Sequence, residues 1–493
     1  MNIKYDDGDI KSIYDYSKLL IGKTFLDVIE ENVLDEIIKF ELIEKYNRPN
    51  YKGGLGVLLE EIYFGYKANS NQLPDFHKVG LELKSTPYEI RKNGSLAAGE
   101  RLSITMVPHD RPIENQFYYS DVWHKIQKIL FIYYLRDKSK GSKLNYSIEY
   151  SYLFTPPQED LKIIIDDFNK IVYKVLNGKA HELSESDTLY LGACTKGSTA
   201  AKSIQPQFYG EKIPAKARNF CFKQPYMTYI LNHYIVSNTK TLEYESIIKN
   251  NSNLTGNTFE DSIQNLINKY IGKTDKELCE LFDRDYNNNK SQWVDLAYRM
   301  LGIKSNKAEE FVKSNVVVKA LRIESTGNII ESMSFPAFKY KEIIEETWEY
   351  SSLRNYFEET RFLFVIFKSD GQNYILKGLQ FWNMPVYDLD GEVRKGWEQT
   401  VNTIKNGVQW IVNRDSNGKI IVRNNLLKRT ENSIIHVRPH AQKSFYLYLD
   451  GTSIGNGKKS DSNELPDGRW MTTHCFWINN SYIINQIKDK IKG

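Results

Sequence analysis

Cysteine is scarce in this chain. Its four residues, Cys194, Cys221, Cys279 and Cys475, form no CxxC pair, which sets aside zinc ribbons and dithiol redox motifs. Few, scattered thiols fit a reducing, cytoplasmic compartment. No run of about 18 apolar residues occurs, so no membrane-spanning helix is expected. The opening stretch, MNIKYDDGDIKSIYDYSKLL, is acidic and has no apolar segment, so it does not read as a signal peptide. The eight histidines show no metal-ligand spacing; His436 and His440 lie four apart but straddle a strand-to-loop step. A phosphate-binding loop is missing too. IGKT occurs at 21–24 and 271–274, but GxxxxGK[ST] needs glycines where Ser17 and Ile267 stand. The net charge of +4 neither demands nor excludes a nucleic-acid partner, because one face can be basic on a near-neutral whole.

What is present is a globular composition, 41% hydrophobic and 26% charged over 493 residues, enough for two to four domains of about 100–200 residues each. The stretch TFLDVIEENVLDEIIKFELIEKY reads as one helix from Thr24, with Phe25, Val28, Ile29, Val33, Ile37 and Ile38 on a stripe and Thr24 with Asp27 as a capping box. LGVLLEEIYFG reads as a second helix and VGLELKS as a strand. Polar residues at 237–257 read as a linker. Beyond it the pattern restarts in the same order: IGKT again, LAYRMLG for LLEEIYFG, EFVKSNVVVK for DFHKVGLELK, FLFVIF for ILFIYY, and a helix closing in Asn406-Gly407 as the earlier one closes in Asn177-Gly178. Five echoes in one order indicate two lobes of one fold.

PDFHKVGLELK, residues 74–84, carries the chemistry. Residues two apart in a strand share a face, so Glu82 and Lys84 point one way and Leu83 the other. Asp75, just upstream, turns toward Glu82. Two close carboxylates repel unless a cation lies between them, and hard oxygen ligands of this kind suit Mg²⁺. Lys84 beside them would orient or deprotonate water and offset phosphate charge. A heptad count puts Leu58, Ile62 and Gly65 on the buried side of the preceding helix with Glu61 beside them. Lys125 sits in an apolar helix, VWHKIQKILF. The bland alternative is a surface strand with an ordinary Glu/Lys pair and snorkelling charges.

The run from Lys52 to Lys84 resembles the MutH mismatch-repair nickases and the larger GATC-specific type II restriction endonucleases of the Sau type, within the PD-(D/E)xK nucleases. The resemblance continues through HKIQKIL, where that family has an active-site lysine at Lys125. It extends to LYLGACTKGSTAAKS, with a base-reading lysine at Lys196, and to RNFCFKQPYMTYIL, where the family has a tyrosine near Phe222. It implies an α/β chain of two tandem MutH-like lobes, each a mixed sheet flanked by helices: a catalytic lobe over 1–236, a linker over 237–257 and a non-catalytic lobe over 258–493. In the second lobe Glu310, Val317 and Lys319 stand for Asp75, Glu82 and Lys84, with Tyr298 for Glu61 and Glu358 for Lys125. One carboxylate of three cannot build the metal site, whereas IIHVRPHAQKS resembles the base-reading loop. The resemblance therefore implies a Mg²⁺-dependent endonuclease cutting double-stranded DNA at GATC in the bacterial cytoplasm, with Asp75, Glu82 and Glu61 on the metal and Lys84 and Lys125 beside it. Lys196, Phe222, Lys223, Arg438 and His440 are the expected DNA contacts, the second lobe an allosteric effector. A cognate GATC methyltransferase and a DNA-induced dimer are the expected partners. The alternatives are a non-cutting DNA-binding or repair protein and a nickase acting in mismatch repair.

Overall fold

The computed structural model describes residues 4–491 except 49–50, 52, 68–72, 196–202, 237–243, 251–257, 288, 331, 415 and 417–419. The chain divides into two compact units: Met1–Tyr244 together with Glu309–Asn315, and Glu245–Ala308 together with Val316–Gly493. Most of the expected linker, 237–257, lies outside the described residues.

In the first unit Thr24 caps the helix Phe25–Asn32 reciprocally: its N–H donates to Asp27 Oδ2 at 2.7 Å, and Asp27 N–H donates to Thr24 Oγ1 at 3.1 Å. The single helix expected to run on through Tyr46 is instead two. Val33 is extended, and Asp35 accepts from the N–H groups of Ile37 and Ile38 to start a new helix, Glu36–Asn47. A side-chain acceptor there offers those donors an alternative to continuing the first helix. Ile37 and Ile38 consequently face solvent, 73% and 48% exposed.

Strand Glu82–Ile90 runs parallel to Ile129–Leu135, which pairs antiparallel with Ile148–Phe154. The central ILFIYYL strand is buried on both faces over most of its length, as its unbroken apolar run requires. A second antiparallel sheet orders Leu102–Met106, Arg218–Phe222 and Leu191–Thr195. The helix Gln158–Leu176 supplies Ile163, Ile164, Phe168 and Ile171 to the core.

The second unit repeats this plan. Val316–Ile323 is parallel to Arg361–Ser369, which is antiparallel to Tyr374–Trp382. Its second sheet orders Met333–Ala337, His474–Ile478 and Ile435–Pro439. The two IGKT segments occupy equivalent places. Gly22 and Gly272 both have φ of +87°, a region that glycine enters freely. Each donates to a strand carbonyl, Ile148 at 2.8 Å and Leu376 at 2.9 Å, and each following lysine carbonyl accepts in return. IGKT is thus a clip that fastens a helix start to a sheet edge.

One echo fails. EFVKSNVVVK matches its counterpart only in the strand half, because Glu309–Ser314 is a helix, ended by Asn315 at φ +55°. Glu310 therefore does not occupy a turn like that of Asp75. This helix counts with the first unit. There Lys313 Nζ pairs with Asp160 at 2.6 Å and Glu309 at 2.7 Å, over the ring of Tyr229.

Candidate active site

The turn before the first strand aims its acid inward. Phe76 bridges to Leu81, and Asp75 Oδ2 accepts from Leu83 N–H at 2.9 Å. Pairing of Glu82 with Ile129 fixes the strand register. Leu83 then enters the core while Glu82 and Lys84 share the opposite face. Glu82 is only 1% exposed. Its Oε1 receives Lys84 Nζ at 2.7 Å and Lys125 Nζ at 3.0 Å. Its Oε2 is buried with no hydrogen-bond partner among the described residues. Lys125 arrives from the short helix Asp121–Ile126, whose N-terminus Ser120 caps.

Asp75, Glu82, Lys84 and Lys125 are thus brought together. Glu61 is not. Its Oε2 accepts from Tyr46 Oη at 2.7 Å and Lys45 Nζ at 3.2 Å. Burial works to raise its pKa, but these bonds outweigh it and hold the group below its ordinary value. The neighbour, Glu60, faces the cluster instead. Its pKa is pushed up to about 7 by burial first and then by the charge of Asp75, with Glu82 and Glu61 adding to it and Lys84 opposing. The cause is a π-turn over Leu59–Tyr63, with Phe64 N–H donating to Leu59 O at 2.9 Å. A π-turn shifts side-chain phase by one residue relative to an α-helix, so a heptad count selects the wrong member of the Glu60-Glu61 pair.

Asp75 is pushed up to about 6, by burial and then the Glu82 charge, against the pull of Lys84, Leu83 N–H and Lys125. For Lys84, burial lowers the pKa, yet the Glu82 and Asp75 charges win and hold the ammonium form above its usual range. Tyr66, also missed from sequence, lines the same space. Burial and the charges of Asp75, Glu60 and Glu82 raise its phenol strongly, and its hydroxyl is buried without a partner among the described residues. Carboxylates that raise one another, beside an unpartnered buried oxygen, are a set that a hard cation fits. Among the described residues no group of three or more histidine, cysteine, aspartate or glutamate side chains is placed to hold a metal ion. Magnesium does not need one, since it commonly keeps waters and takes one or two carboxylates.

The second unit keeps the register without the chemistry. Val317 pairs with Phe362 as Glu82 pairs with Ile129. Lys319 is lowered by burial and then by Lys290. Glu358, at the place of Lys125, is buried in an ion pair with Arg354.

Of the expected DNA contacts, Lys196 lies outside the described residues. Phe222 and Lys223 do not reach a surface. Phe222 is fully buried in a strand paired on both sides. Lys223 is equally buried, and its Nζ donates to Thr188 O at 3.2 Å and Ser314 O at 3.4 Å. Arg438 and His440 are exposed at the end of strand Ile435–Pro439, with Arg438 over the Trp477 ring at 5.0 Å. His436 is buried against Asn479, so the two histidines do not share a site.

The family model for the DNA mismatch repair enzyme MutH matches residues 64–167, the span that contains Asp75, Glu82, Lys84 and Lys125. Over 453 residues the chain is 34% identical to the type II restriction enzyme Sau3AI of Staphylococcus aureus, covering 87% of this chain and 91% of that one. The DNA mismatch repair protein MutH of Shigella flexneri is 26% identical over 208 residues, 40% of this chain and 83% of that protein. MutH of Escherichia coli is similar at 26% over 211 residues. A relative matched across nearly its whole length, with both repeats included, makes this chain a member of the Sau3AI family of type II restriction enzymes.

Proposed function

We propose that the first unit hydrolyses phosphodiester bonds of double-stranded DNA at GATC with Mg²⁺, and that the second unit binds DNA without cutting it. The observation that carries the reading is the buried Glu82 flanked by Asp75, Glu60 and two lysines, against a second unit with Val317 at the matching register position. Asp75 and Glu82 would hold the cation, with Glu60 beside them to orient its waters, and the cation when bound supplies an activated water and offsets charge on the phosphate. Glu60 takes the role expected of Glu61. Lys84, kept protonated by its carboxylate neighbours, donates to the attacking water or a phosphate oxygen and presents positive charge to the transition state. Lys125 steadies Glu82 from the other side and faces the scissile phosphate. Lys196 would donate to a base edge in the first unit, and Arg438 and His440 would contact DNA in the second. A cognate GATC methyltransferase would protect the host's own DNA in the bacterial cytoplasm, and binding to DNA would bring two chains together.

The test is digestion of plasmid carrying methylated or unmethylated GATC, in Mg²⁺ or in EDTA. Fragments ending at GATC in Mg²⁺ alone support the reading. Fragments at other sequences, or cutting in EDTA, would overturn it.

A further inference from the structure

The second unit carries an element that the first lacks. Between Gly178 and Leu191 the first unit has only short helical turns, Ala180–Glu182 and Glu185–Asp187. At the corresponding place, between Gly407 and Ile435, the second unit extends a two-stranded ribbon, Trp410–Arg414 paired with Ile420–Asn424. The repeated fold evidently does not need it.

Its base is anchored. Trp410 Nε1 donates to Met471 Sδ at 3.3 Å, and the indole packs edge-on against Tyr446 and Tyr448. Asn424 Nδ2 lies 3.1 Å from His474 Nε2. His474 is the register partner of Pro439, and His440 N–H donates to Thr473 O at 2.8 Å. The ribbon therefore springs from the same place as the exposed Arg438–His440 end of the neighbouring strand.

Beyond the base, both faces are open. Ile411, Asn413, Ile421 and Arg423 share one face, and Val412, Arg414, Ile420 and Val422 the other, of which Val422 packs against the core. Ile411 is 57% exposed and Ile421 39%. An isolated two-stranded ribbon is at best marginally stable in water, and apolar side chains on its open faces call for a partner. Residues 409–425 hold three basic residues, Arg414, Lys419 and Arg423, against one acid, Asp415. Arg423 makes no ion pair among the described residues. A two-stranded ribbon fits the roughly 12 Å major groove of B-DNA, where arginine, asparagine and apolar side chains all find contacts.

We infer that this ribbon lies along duplex DNA immediately outside the sequence read by the second unit, with Arg423 on a phosphate and Ile411 and Ile421 toward the groove. The inference rests on the reading of the second unit as a DNA binder.

The test uses the full chain carrying Lys84→Ala, so that DNA stays intact, with a photo-crosslinking amino acid at position 421 or, separately, at position 440. The probes are GATC duplexes with flanks of about one helical turn, ~10 base pairs, or trimmed close to the site. Position 421 should crosslink to nucleotides outside GATC on the long duplex and lose them on the short one. Arg423→Ala should lower the salt slope of binding by about 1 on the long duplex and leave the short one unchanged. If position 440 crosslinks to DNA while 421 crosslinks only to a second protein chain, or to nothing, the ribbon is not a DNA element and the inference falls alone. If neither position reaches DNA, the DNA-binding reading of the second unit falls with it.

Discussion

Glu60 and Glu61 are adjacent, and the same isosteric change should act on them in opposite ways. Glu60→Gln removes a charge from a crowded acid cluster. Its pKa is pushed up to about 7 from 4.5, by burial and then by Asp75. At about 1.4 kcal/mol per pKa unit, ionising it costs up to roughly 3 kcal/mol, and partial solvent contact lowers that toward 1–2. The shift is upward, so this cost is absent below about pH 4.5 and complete above pH 7. The glutamine variant should therefore melt higher than the parent at pH 8 in EDTA and show little difference at pH 4.5. Its cleavage should fall by roughly 10–100-fold, with more Mg²⁺ needed for half-maximal rate, as expected when a carboxylate that supports a metal site is lost. Glu61→Gln weakens the bonds from Tyr46 at 2.7 Å and Lys45 at 3.2 Å. It should cost about 1 kcal/mol of stability and leave cleavage within a few fold. Thermal melts in EDTA beside single-turnover cleavage in Mg²⁺ read both quantities. A Glu61→Gln variant that stops cutting, beside a Glu60→Gln variant that cuts normally, would refute the placement of the π-turn.

His474 is pushed down to about 4 by burial, against the Thr472 carbonyl. A folded pKa below the ordinary 6.5 means that the stabilisation from neutral His474 is full above pH 6.5 and lost as pH falls through 4, roughly 3 kcal/mol in all; melting of the second unit should follow that window, and His474→Gln should flatten it. Asp167 accepts from the N–H groups of Leu189, Tyr190 and Leu191 at 2.8, 2.6 and 3.0 Å. Asp167→Ala strands three buried donors, so it should cost at least about 3 kcal/mol of stability in thermal melts. DNA carrying two sites should be cut faster than DNA carrying one, because the tether raises effective concentration. A short uncleavable GATC duplex should rescue one-site cutting, and Arg438→Ala or His440→Ala should abolish the rescue; equal rates on both substrates would leave the second unit without an effector role.

Much of this architecture was legible in the residues. The repeated IGKT segments, the capping box at Thr24 and the strand that sets Glu82 and Lys84 on one face follow from local pattern, because strand alternation and capping act over two to four residues; Lys125 is implied only by the family resemblance, since the Glu82–Ile129 pairing that brings it to Glu82 joins residues more than forty apart. What escaped depends on backbone phase or on distant partners. The π-turn exchanged Glu60 for Glu61. The cap at Asp35 broke a helix whose apolar spacing ran on without interruption. Phe222 and Lys223 look available in the sequence, yet neighbours far along the chain bury them on every side. EFVKS kept its likeness to DFHKV in composition while forming a helix, since strand and turn potential in five residues is easily overridden by tertiary packing.

The most direct test of the central claim is single-turnover cleavage of a GATC duplex by Asp75→Ala, Glu82→Ala and Lys84→Ala, alongside binding of the same duplex. Phosphate contacts elsewhere supply much of the affinity, so each variant should bind close to normally and cut at a rate indistinguishable from no enzyme. Wild-type cutting by Lys84→Ala, or loss of binding in step with loss of cutting across all three, would contradict it.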